Sequence, residues 1–278
     1  MSIISLPDEL ILDNVDSVQV FNYSSSQTLI KQQIVLKKNV FSFLVKGTKE
    51  VYFKDSTLSL DNTKFIIMKA GNCLMTEKLP DLVNYNSVLL FFDDETLSKF
   101  VSKIEFTHFN VKDQQSVTAF DYDDFTRRFV TSLLDILSFS KDIKRILLEV
   151  KLEEILLYLS ELYGTAFLQS LVDKNIDSTR RFLQVVEVNK LNKLSLSELA
   201  FLANMSVSSF KREFEKHYKE SPIKWFQQKR LEQAHYLLTI EKKNASEIYL
   251  EVGYESLSSF IQAYKLNYGI TPKQHFLK

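Results

Sequence analysis

Two sets of polar side chains near the C-terminal end of the sequence have the residue types that hydrogen-bond to nucleic-acid bases. Arg212 and Gln262 stand fifty residues apart. The Arg guanidinium and the Gln carboxamide can each make paired hydrogen bonds, to guanine and to adenine edges respectively. Small hydroxyl side chains come shortly before both of them: Ser208, Ser209, Ser258 and Ser259. This spacing predicts two similar surfaces, each suited to close contact with double-stranded DNA.

The segment that carries these residues, 195–278, is an internal repeat, and each copy predicts two helices joined by a tight turn. Each copy opens on a pair at capping-box spacing: Ser195 with Glu198, and Asn244 with Glu247. The first helix is expected to end near Asn204 in one copy and near Gly253 in the other. These are residue types that accept a positive φ.

The second helix of each copy has an apolar stripe at i, i+3 and i+7, which leaves its opposite face for a partner. The stripe residues are Val207, Phe210 and Phe214 in the first copy, and Leu257, Phe260 and Tyr264 in the second. Helix, turn and helix make a helix-turn-helix motif, whose second helix enters a DNA major groove. The predicted DNA-binding residues are Ser206, Ser208, Ser209, Arg212, Lys216, Glu255, Ser256, Ser258, Ser259 and Gln262.

We expect Arg212 and Gln262 to be the principal base readers; the alternative is that they are ordinary solvated side chains. The two second helices should enter successive major grooves about 34 Å apart. Their outward faces differ, because Lys216 in the first copy corresponds to Leu266 in the second. The first copy is therefore expected to supply most of the electrostatic affinity. Arg230, between the copies, is interpreted either as a phosphate contact or as an internal brace.

The stretch from 194 to 276 resembles the DNA-binding domain of AraC/XylS-type bacterial transcription regulators, in which a long helix joins two helix-turn-helix units. The resemblance rests on KRLEQA at 229–234, Leu237-Leu238, VGY at 252–254 and YGITP at 268–272. The sequence departs from the family pattern at Tyr249, Gln262 and Lys219. The resemblance implies a transcription activator with double-stranded DNA and RNA polymerase as partners and an N-terminal sensor domain that is often cupin-like.

Charge distribution points to the same half of the chain. The whole sequence is neutral, with 35 Lys and Arg against 35 Asp and Glu. Residues 180–278, however, hold 16 basic and 10 acidic side chains, a net charge of +6, which leaves −6 for the rest. A basic half beside an acidic half is expected where one domain faces phosphates and the other does not.

The first ninety residues alternate apolar and polar side chains with a period of two, which predicts seven or eight short strands. Clear examples are Phe41 with Phe43, Val51 with Phe53, and Leu90 with Phe92. This number of strands favours a sandwich or small barrel. The predicted fold class is therefore α+β: a cupin-like β sensor domain over 1–110, a helical dimerisation or connector segment over 111–177, and an all-α DNA-binding domain over 178–278.

The helical segment is apolar on more than one face between Ile143 and Tyr163, so it needs more than one partner. One face can pack on the β domain and the other on a second copy, which predicts a homodimer. The alternative is that both faces are satisfied within a monomer.

The sequence lacks the patterns that are typical of membrane proteins, disulfide-bonded proteins and enzymes. No run of apolar residues reaches the roughly 18 needed to span a bilayer, and a single cysteine, Cys73, allows no internal disulfide, so we expect a cytoplasmic protein without membrane association. His108 is the one histidine before the basic half, too few ligands for a metal cupin, and no catalytic or cofactor motif occurs. We expect no enzymatic activity, no metal and no cofactor. Cys73 is interpreted as a buried structural thiol rather than a redox sensor.

Two questions stay open at this level. The β domain is expected to sense either a small apolar or carboxylated molecule or a regulatory protein, and Lys31, Lys46 and Lys54 are possible partners for an anion. The alternative to a DNA-binding regulator is a protein-interaction adaptor that keeps a degenerate helix-turn-helix domain.

Overall fold

The computed structural model describes residues 3–10, 16–79, 84–103, 115–165, 167–168, 171 and 177–276. The chain divides into two compact units, Met1–Arg181 (unit 1) and Phe182–Lys278 (unit 2). None of the helices within the described ranges is both long enough and apolar enough to cross a membrane.

Unit 1 contains two five-stranded sheets. Along the chain the strands are β1 Ile4–Leu6, β2 Val18–Ser25, β3 Leu29–Leu36, β4 Asn39–Lys46, β5 Thr48–Tyr52, β6 Thr57–Leu60, β7 Lys64–Met68, β8 Gly71–Lys78, β9 Tyr85–Phe92 and β10 Val117–Asp121. The first sheet has the order β1-β3-β8-β5-β6 and the second β10-β7-β4-β9-β2. All pairs are antiparallel except β1 with β3.

The described part of unit 1 also contains helices: α1 Asp94–Val101 lies between β9 and β10, and α2 Asp124–Ile136 and α3 Lys141–Tyr163 follow β10. The helix α2 begins at a capping box, in which the Asp123 side chain accepts from the Thr126 N–H and Thr126 bonds back to the Asp123 backbone. The helices cover the face of the second sheet that points away from the first. Unit 1 therefore has three layers: sheet, sheet and helices.

The layering explains the burial of strand β4, in which six consecutive residues from Asn39 to Leu44 are buried. Side chains alternate across a strand. Phe41 and Phe43 consequently pack in the core shared with the helices, with Phe43 and Phe129 ring centroids 5.7 Å apart. Val40 and Leu44 point the other way, into the core between the two sheets. The sequence of a central strand that is covered on both faces is a nearly continuous run of apolar residues.

The α+β fold class is confirmed, and the structure adds strands that the sequence pattern does not mark. Strands β1, β3 and β8 were not expected, because β3 carries Lys31, Gln32 and Gln33 in mid-strand and β8 is buried on both sides from Cys73 to Glu77. Strand β10 lies inside the 111–177 segment expected to be helical. The described helices of that segment share one core with the second sheet.

Unit 2 is helical in its described part. Its helices are α4 Ser178–Val188, which begins at the end of unit 1, α5 Leu196–Leu202, α6 Val207–Tyr218, α7 Pro222–Thr239, α8 Ala245–Ile248, α9 Leu257–Tyr268 and α10 Pro272–Phe276. The long helix α7 lies between the two copies of the sequence repeat. The pairs α5–α6 and α8–α9 are the two helix-turn-helix units.

Candidate nucleic-acid interface

The turn of each helix-turn-helix unit is built from local signals that the sequence carries. A capping box forms at Ser195 with Glu198, and the Asn244 N–H donates to Glu247 Oε2 at 2.7 Å. Asn204 then has φ 58° and Gly253 has φ 83°, so both adopt the predicted left-handed conformation. In the first unit the Met205 N–H donates to the Ala200 carbonyl across the turn, and this bond fixes where the next helix starts.

The helices α6 and α9 start and end in the same way. Ser206 and Ser256 are their N-caps, and each side chain accepts from the backbone N–H three residues on, at 3.1 and 3.2 Å. Each helix has 12 residues. Each ends at a residue in the left-handed region, Lys219 with φ 60° and Gly269 with φ 76°. The repeat in the sequence is therefore a repeat in backbone geometry.

The inward face of α6 packs into an aromatic cluster. Phe210 and Phe214 are fully buried. The Phe214 ring lies 4.5 Å from Tyr218, 5.6 Å from Trp225 and 5.7 Å from Phe226 between centroids. Aromatic rings at such distances add to the apolar area that they bury. The cluster holds α6 against the start of α7.

The inward face of α9 packs differently, because a polar group is buried there. Phe260 and Tyr264 are fully buried. The Tyr264 hydroxyl lies 2.9 Å from His235 Nδ1 and 2.9 Å from His275 Nδ1, so one hydroxyl joins α7 to α10. A hydroxyl can donate to one ring nitrogen while it accepts from the other. Burial raises the pKa of Tyr264, so the neutral phenol is retained.

The outward faces of the two helices are exposed but unlike. Arg212 and Lys216 are exposed on α6, and Gln262 is exposed on α9. Leu266, at the position that matches Lys216, is 88% exposed. The first unit thus presents two cations where the second presents an amide and an apolar side chain.

The predicted site residues do not all remain free for a ligand. Ser206, Ser209, Ser256 and Ser259 bond among themselves in the two caps. Lys216 Nζ donates to Glu213 Oε1 at 3.3 Å, and Glu255 forms an ion pair with Lys193 at 3.0 Å. Ser208 and Ser258 are exposed at the starts of their helices.

Two contacts within unit 2 were missed by sequence reasoning. The Lys193–Glu255 ion pair joins residues 62 positions apart, and the His235–Tyr264–His275 set joins three helices. No local pattern in the sequence predicts either contact.

Arg230 is half-buried beside the Cα of Gly253, where an added Cβ would lie 3.1 Å from Arg230 Cδ. Burial lowers its pKa, which favours the internal brace over the phosphate contact.

Unit 1 contains a cavity of about 160 Å³ between its two sheets. It is lined mainly by aliphatic side chains, and Lys49 and Glu77 are its buried charged residues. Of the lysines proposed from sequence as anion partners, Lys46 is exposed and Lys31 and Lys54 are half-buried, and none of them lines this cavity. Lys49 was not predicted.

Cys73 is fully buried in β8, and burial raises the pKa of its thiol, so little thiolate is available for oxidation. Over the described ranges no group of three or more His, Cys, Asp and Glu side chains is placed to hold a metal ion. His108 lies outside those ranges.

Two known domain families match this chain. The family described as ExsA N-terminal regulatory domain matches residues 39–171, from the start of β4 to beyond α3. The family described as helix-turn-helix domain matches residues 199–277, which include both helix-turn-helix units.

Relatives with similar sequences are named as regulatory proteins. The thermoregulatory protein LcrF of Yersinia pestis is 34% identical over 134 residues, 48% of this chain and 49% of its own length. The virulence regulon transcriptional activator VirF of Yersinia enterocolitica matches to the same extent. The HTH-type transcriptional regulator ExsA of Pseudomonas aeruginosa is 30% identical over 107 residues, 38% of this chain and 37% of its own length. The chain spans about half the length of the first two of these curated relatives.

Among solved structures, an apo form of ToxT from Vibrio cholerae aligns with 95% of this chain and 98% of its own. The TM-score is 0.46 and the sequence identity is 10%.

Proposed function

Because the chain belongs to the AraC/XylS family of bacterial transcription regulators, we propose that it activates transcription by binding specific sites on double-stranded DNA. One observation carries the proposal. The helices α6 and α9 have equal length, equal Ser caps and equal left-handed ends, and each leaves one face exposed. Two copies of one backbone geometry suit two neighbouring major grooves of a duplex.

Within this function the two units have different shares. Arg212 has the geometry to read a guanine edge, and Lys216, once released from Glu213, adds attraction to phosphates. Gln262 suits an adenine edge, and the exposed Leu266 suits the methyl group of thymine. The first unit supplies most of the electrostatic affinity, and the second adds selectivity for A·T pairs.

Electrophoretic mobility shifts on genomic fragments at two salt concentrations test the function. We expect site-specific complexes that weaken as salt rises, because bound Lys and Arg side chains release counterions from the DNA. Absence of site-specific complexes at low salt would instead favour an adaptor that keeps the fold without DNA binding.

Single substitutions on α6 distinguish the recognition of bases from the electrostatic attraction to phosphates. Arg212→Ala is expected to cost about 1–3 kcal/mol of binding free energy and to relax discrimination at one base pair. Lys216→Ala should weaken binding to every sequence alike and reduce the dependence on salt. Titrations of the target fragment and of single-base variants, at several salt concentrations, measure both effects.

Arg145→Ala is the matched control, since Arg145 is exposed on α3 in unit 1. It should leave affinity and selectivity unchanged. If Arg212→Ala behaves like Arg145→Ala, the outward face of α6 is not the reading face.

The protein is further proposed to act as a homodimer through α3. That helix buries Leu148, Leu152 and Ile155, yet on its opposite side Ile143, Ile146, Val150 and Leu157 are each more than half exposed. These four fall on one face at 100° per residue. An exposed apolar stripe of this length is characteristic of an interaction site.

Charge on this stripe should dissociate the dimer. Ile146→Lys combined with Val150→Lys is expected to shift sedimentation at micromolar concentration from dimer to monomer, because association would bury two unpaired cations. Thr131→Lys, which adds a charge to the exposed side of α2, should sediment as the unaltered protein does. An unaltered protein that sediments as a monomer, with and without DNA, contradicts the dimer.

Unit 1 is proposed to regulate unit 2, in response to a small molecule or a regulatory protein. A signal of either kind must bind two conformations of the chain with unequal affinity. Contact with RNA polymerase and a cytoplasmic location complete the proposal, since an activator works on chromosomal DNA.

A further inference from the structure

The turn of the second helix-turn-helix unit is one residue longer than the turn of the first. In both turns a backbone N–H donates to the carbonyl five residues earlier, from Met205 at 2.9 Å and from Tyr254 at 2.8 Å. Met205 and Tyr254 therefore occupy equivalent places. The next residue in the first unit is Ser206, the N-cap of α6, whereas Glu255 separates Tyr254 from Ser256, the N-cap of α9. Glu255 has no counterpart in the first unit.

The extra residue places a carboxylate at the start of α9. The Tyr254 ring packs inside the unit, 5.3 Å from the Phe260 ring between centroids. The Glu255 side chain, by contrast, is 85% exposed. In a helix-turn-helix motif the N-terminal residues of the second helix contact the edges of bases. Glu255 thus lies beside the part of α9 that is proposed to contact bases.

The partner of Glu255 is a lysine from another segment of unit 2. Lys193, shortly before the start of α5, has its Nζ 3.0 Å from Glu255 Oε1. This cation offsets the charge of the carboxylate, which lowers its repulsion of DNA phosphates. A carboxylate has two oxygens and about four acceptor sites, so it can keep the lysine and accept a further hydrogen bond. The ion pair therefore does not prevent a contact with a base.

A carboxylate in the major groove meets different atoms on each base, and it can accept hydrogen bonds but not donate them. Guanine presents two acceptors, N7 and O6, and thymine presents the O4 acceptor beside its methyl group. Adenine presents its N6 donor next to the N7 acceptor, whereas cytosine presents its N4 donor without an acceptor on the same base. A carboxylate at this place therefore favours cytosine and disfavours the other three bases.

From this geometry we infer that Glu255 is a specificity-determining residue, whose carboxylate accepts a hydrogen bond from cytosine N4 while Lys193 offsets its charge. The inference rests on the proposed function, since it names one base of the DNA site. It adds one G·C pair to the A·T pairs proposed for Gln262 and Leu266. The first unit, which lacks the extra residue, has no such preference at the equivalent position.

Glu255→Gln tests the inference, because an amide suits an adenine edge and a carboxylate suits cytosine. Mobility-shift titrations compare the full-length protein on its target fragment and on fragments in which each base pair of the site is changed in turn. For the unaltered protein, replacing the cytosine should weaken binding about tenfold. For Glu255→Gln the preferred base should change to adenine at that position alone. Its Trp225 fluorescence transition should match that of the unaltered protein, because Glu255 is exposed.

Two further variants assign the preference to its residue. Glu187→Gln is the matched control, since it removes a carboxylate from another exposed ion pair of unit 2, with Lys190 at 3.2 Å. It should leave every base preference unchanged. Lys193→Ala leaves the charge of Glu255 uncompensated, so it should weaken binding to all sequences alike and keep the preference for cytosine.

A uniform gain in the affinity of Glu255→Gln for every sequence, with no change of preferred base, would mean that Glu255 only repels phosphates, and the inference would be wrong. Unchanged affinity and preference, or the same change of preference in Glu187→Gln, would also overturn it. In these cases the unaltered protein still forms its site-specific complex, so the proposed function stands. A protein that forms no site-specific complex at low salt would contradict both.

Discussion

Replacing Lys49 alone with Met is expected to lower the free energy of unfolding of unit 1 by about 3–5 kcal/mol, because it leaves the buried carboxylate of Glu77 without a compensating charge. The Lys49 ammonium is the described partner of Glu77 Oε1, and Glu77 is nearly inaccessible to water. The side chain of Met has a similar length but offers no donor, so Glu77 Oε1 would lose the ammonium that lies 3.2 Å from it.

Replacing both residues with Met is expected to have the opposite outcome. A well-packed apolar pair avoids the cost of desolvating two charges, and such exchanges are commonly neutral or stabilising by about 1–4 kcal/mol. With Glu77→Met as the second single variant, the four proteins form a double-mutant cycle that gives the coupling of the two charges. A double variant at least as stable as the unaltered protein would mean that the ion pair is retained for a role other than stability.

Hydrogen exchange of the β5 and β8 backbone amides measures the change in unit 1. Trp225, the one tryptophan of the sequence, reports on unit 2, and its fluorescence transition should not move. Lys78→Met is the control, because the Lys78–Glu50 pair is largely exposed and such pairs contribute about 1 kcal/mol or less. If Lys49→Met costs no more than Lys78→Met, the ion pair is accessible to water.

Features that depend on a few neighbouring residues were predictable from the sequence. The capping box at Ser195 and Glu198, the left-handed turns at Asn204 and Gly253, and the Ser caps of α6 and α9 each involve residues no more than four positions apart. Backbone geometry at these points follows from the residue types themselves. The backbone geometry of the two helix-turn-helix units was therefore predictable, although their contact with DNA stays a prediction.

The pairing of Lys49 with Glu77 could not be predicted from the sequence. Alternation along β5 places Lys49 on the same side as Val51, and alternation along β8 places Glu77 with Cys73 and Met75. The inward direction of both charges was thus available in the sequence. Their pairing was not, since 28 residues separate them and the register of β5 with β8 depends on the whole sheet.

Helix α6 has a buried face that stabilises unit 2 and an exposed face that carries Arg212 and Lys216. Phe214→Ala should separate the contributions of these two faces. The substitution is expected to lower the free energy of unfolding of unit 2 by about 3–5 kcal/mol, because it removes a fully buried ring and leaves a cavity among rigid aromatic neighbours. Trp225, whose ring lies 5.6 Å from Phe214, should report the earlier unfolding directly.

Phe214→Leu is the matched control, since it keeps most of the apolar volume and should cost less than about 1.5 kcal/mol. Denaturant titrations followed by Trp225 fluorescence measure both variants. If Phe214→Ala costs no more than Phe214→Leu, the aromatic cluster does not hold α6 in place.

The consequence for DNA binding follows from geometry. Phe214→Ala touches no residue of the exposed face, yet it loosens the helix that carries Arg212 and Lys216, so it should weaken binding to target and non-target DNA together. Arg212→Ala should instead leave the Trp225 transition unchanged and weaken target binding alone. If both variants change stability and selectivity in the same proportion, the inward and outward faces of α6 do not have separate roles. The proposal that one face packs and the other binds DNA would then be wrong.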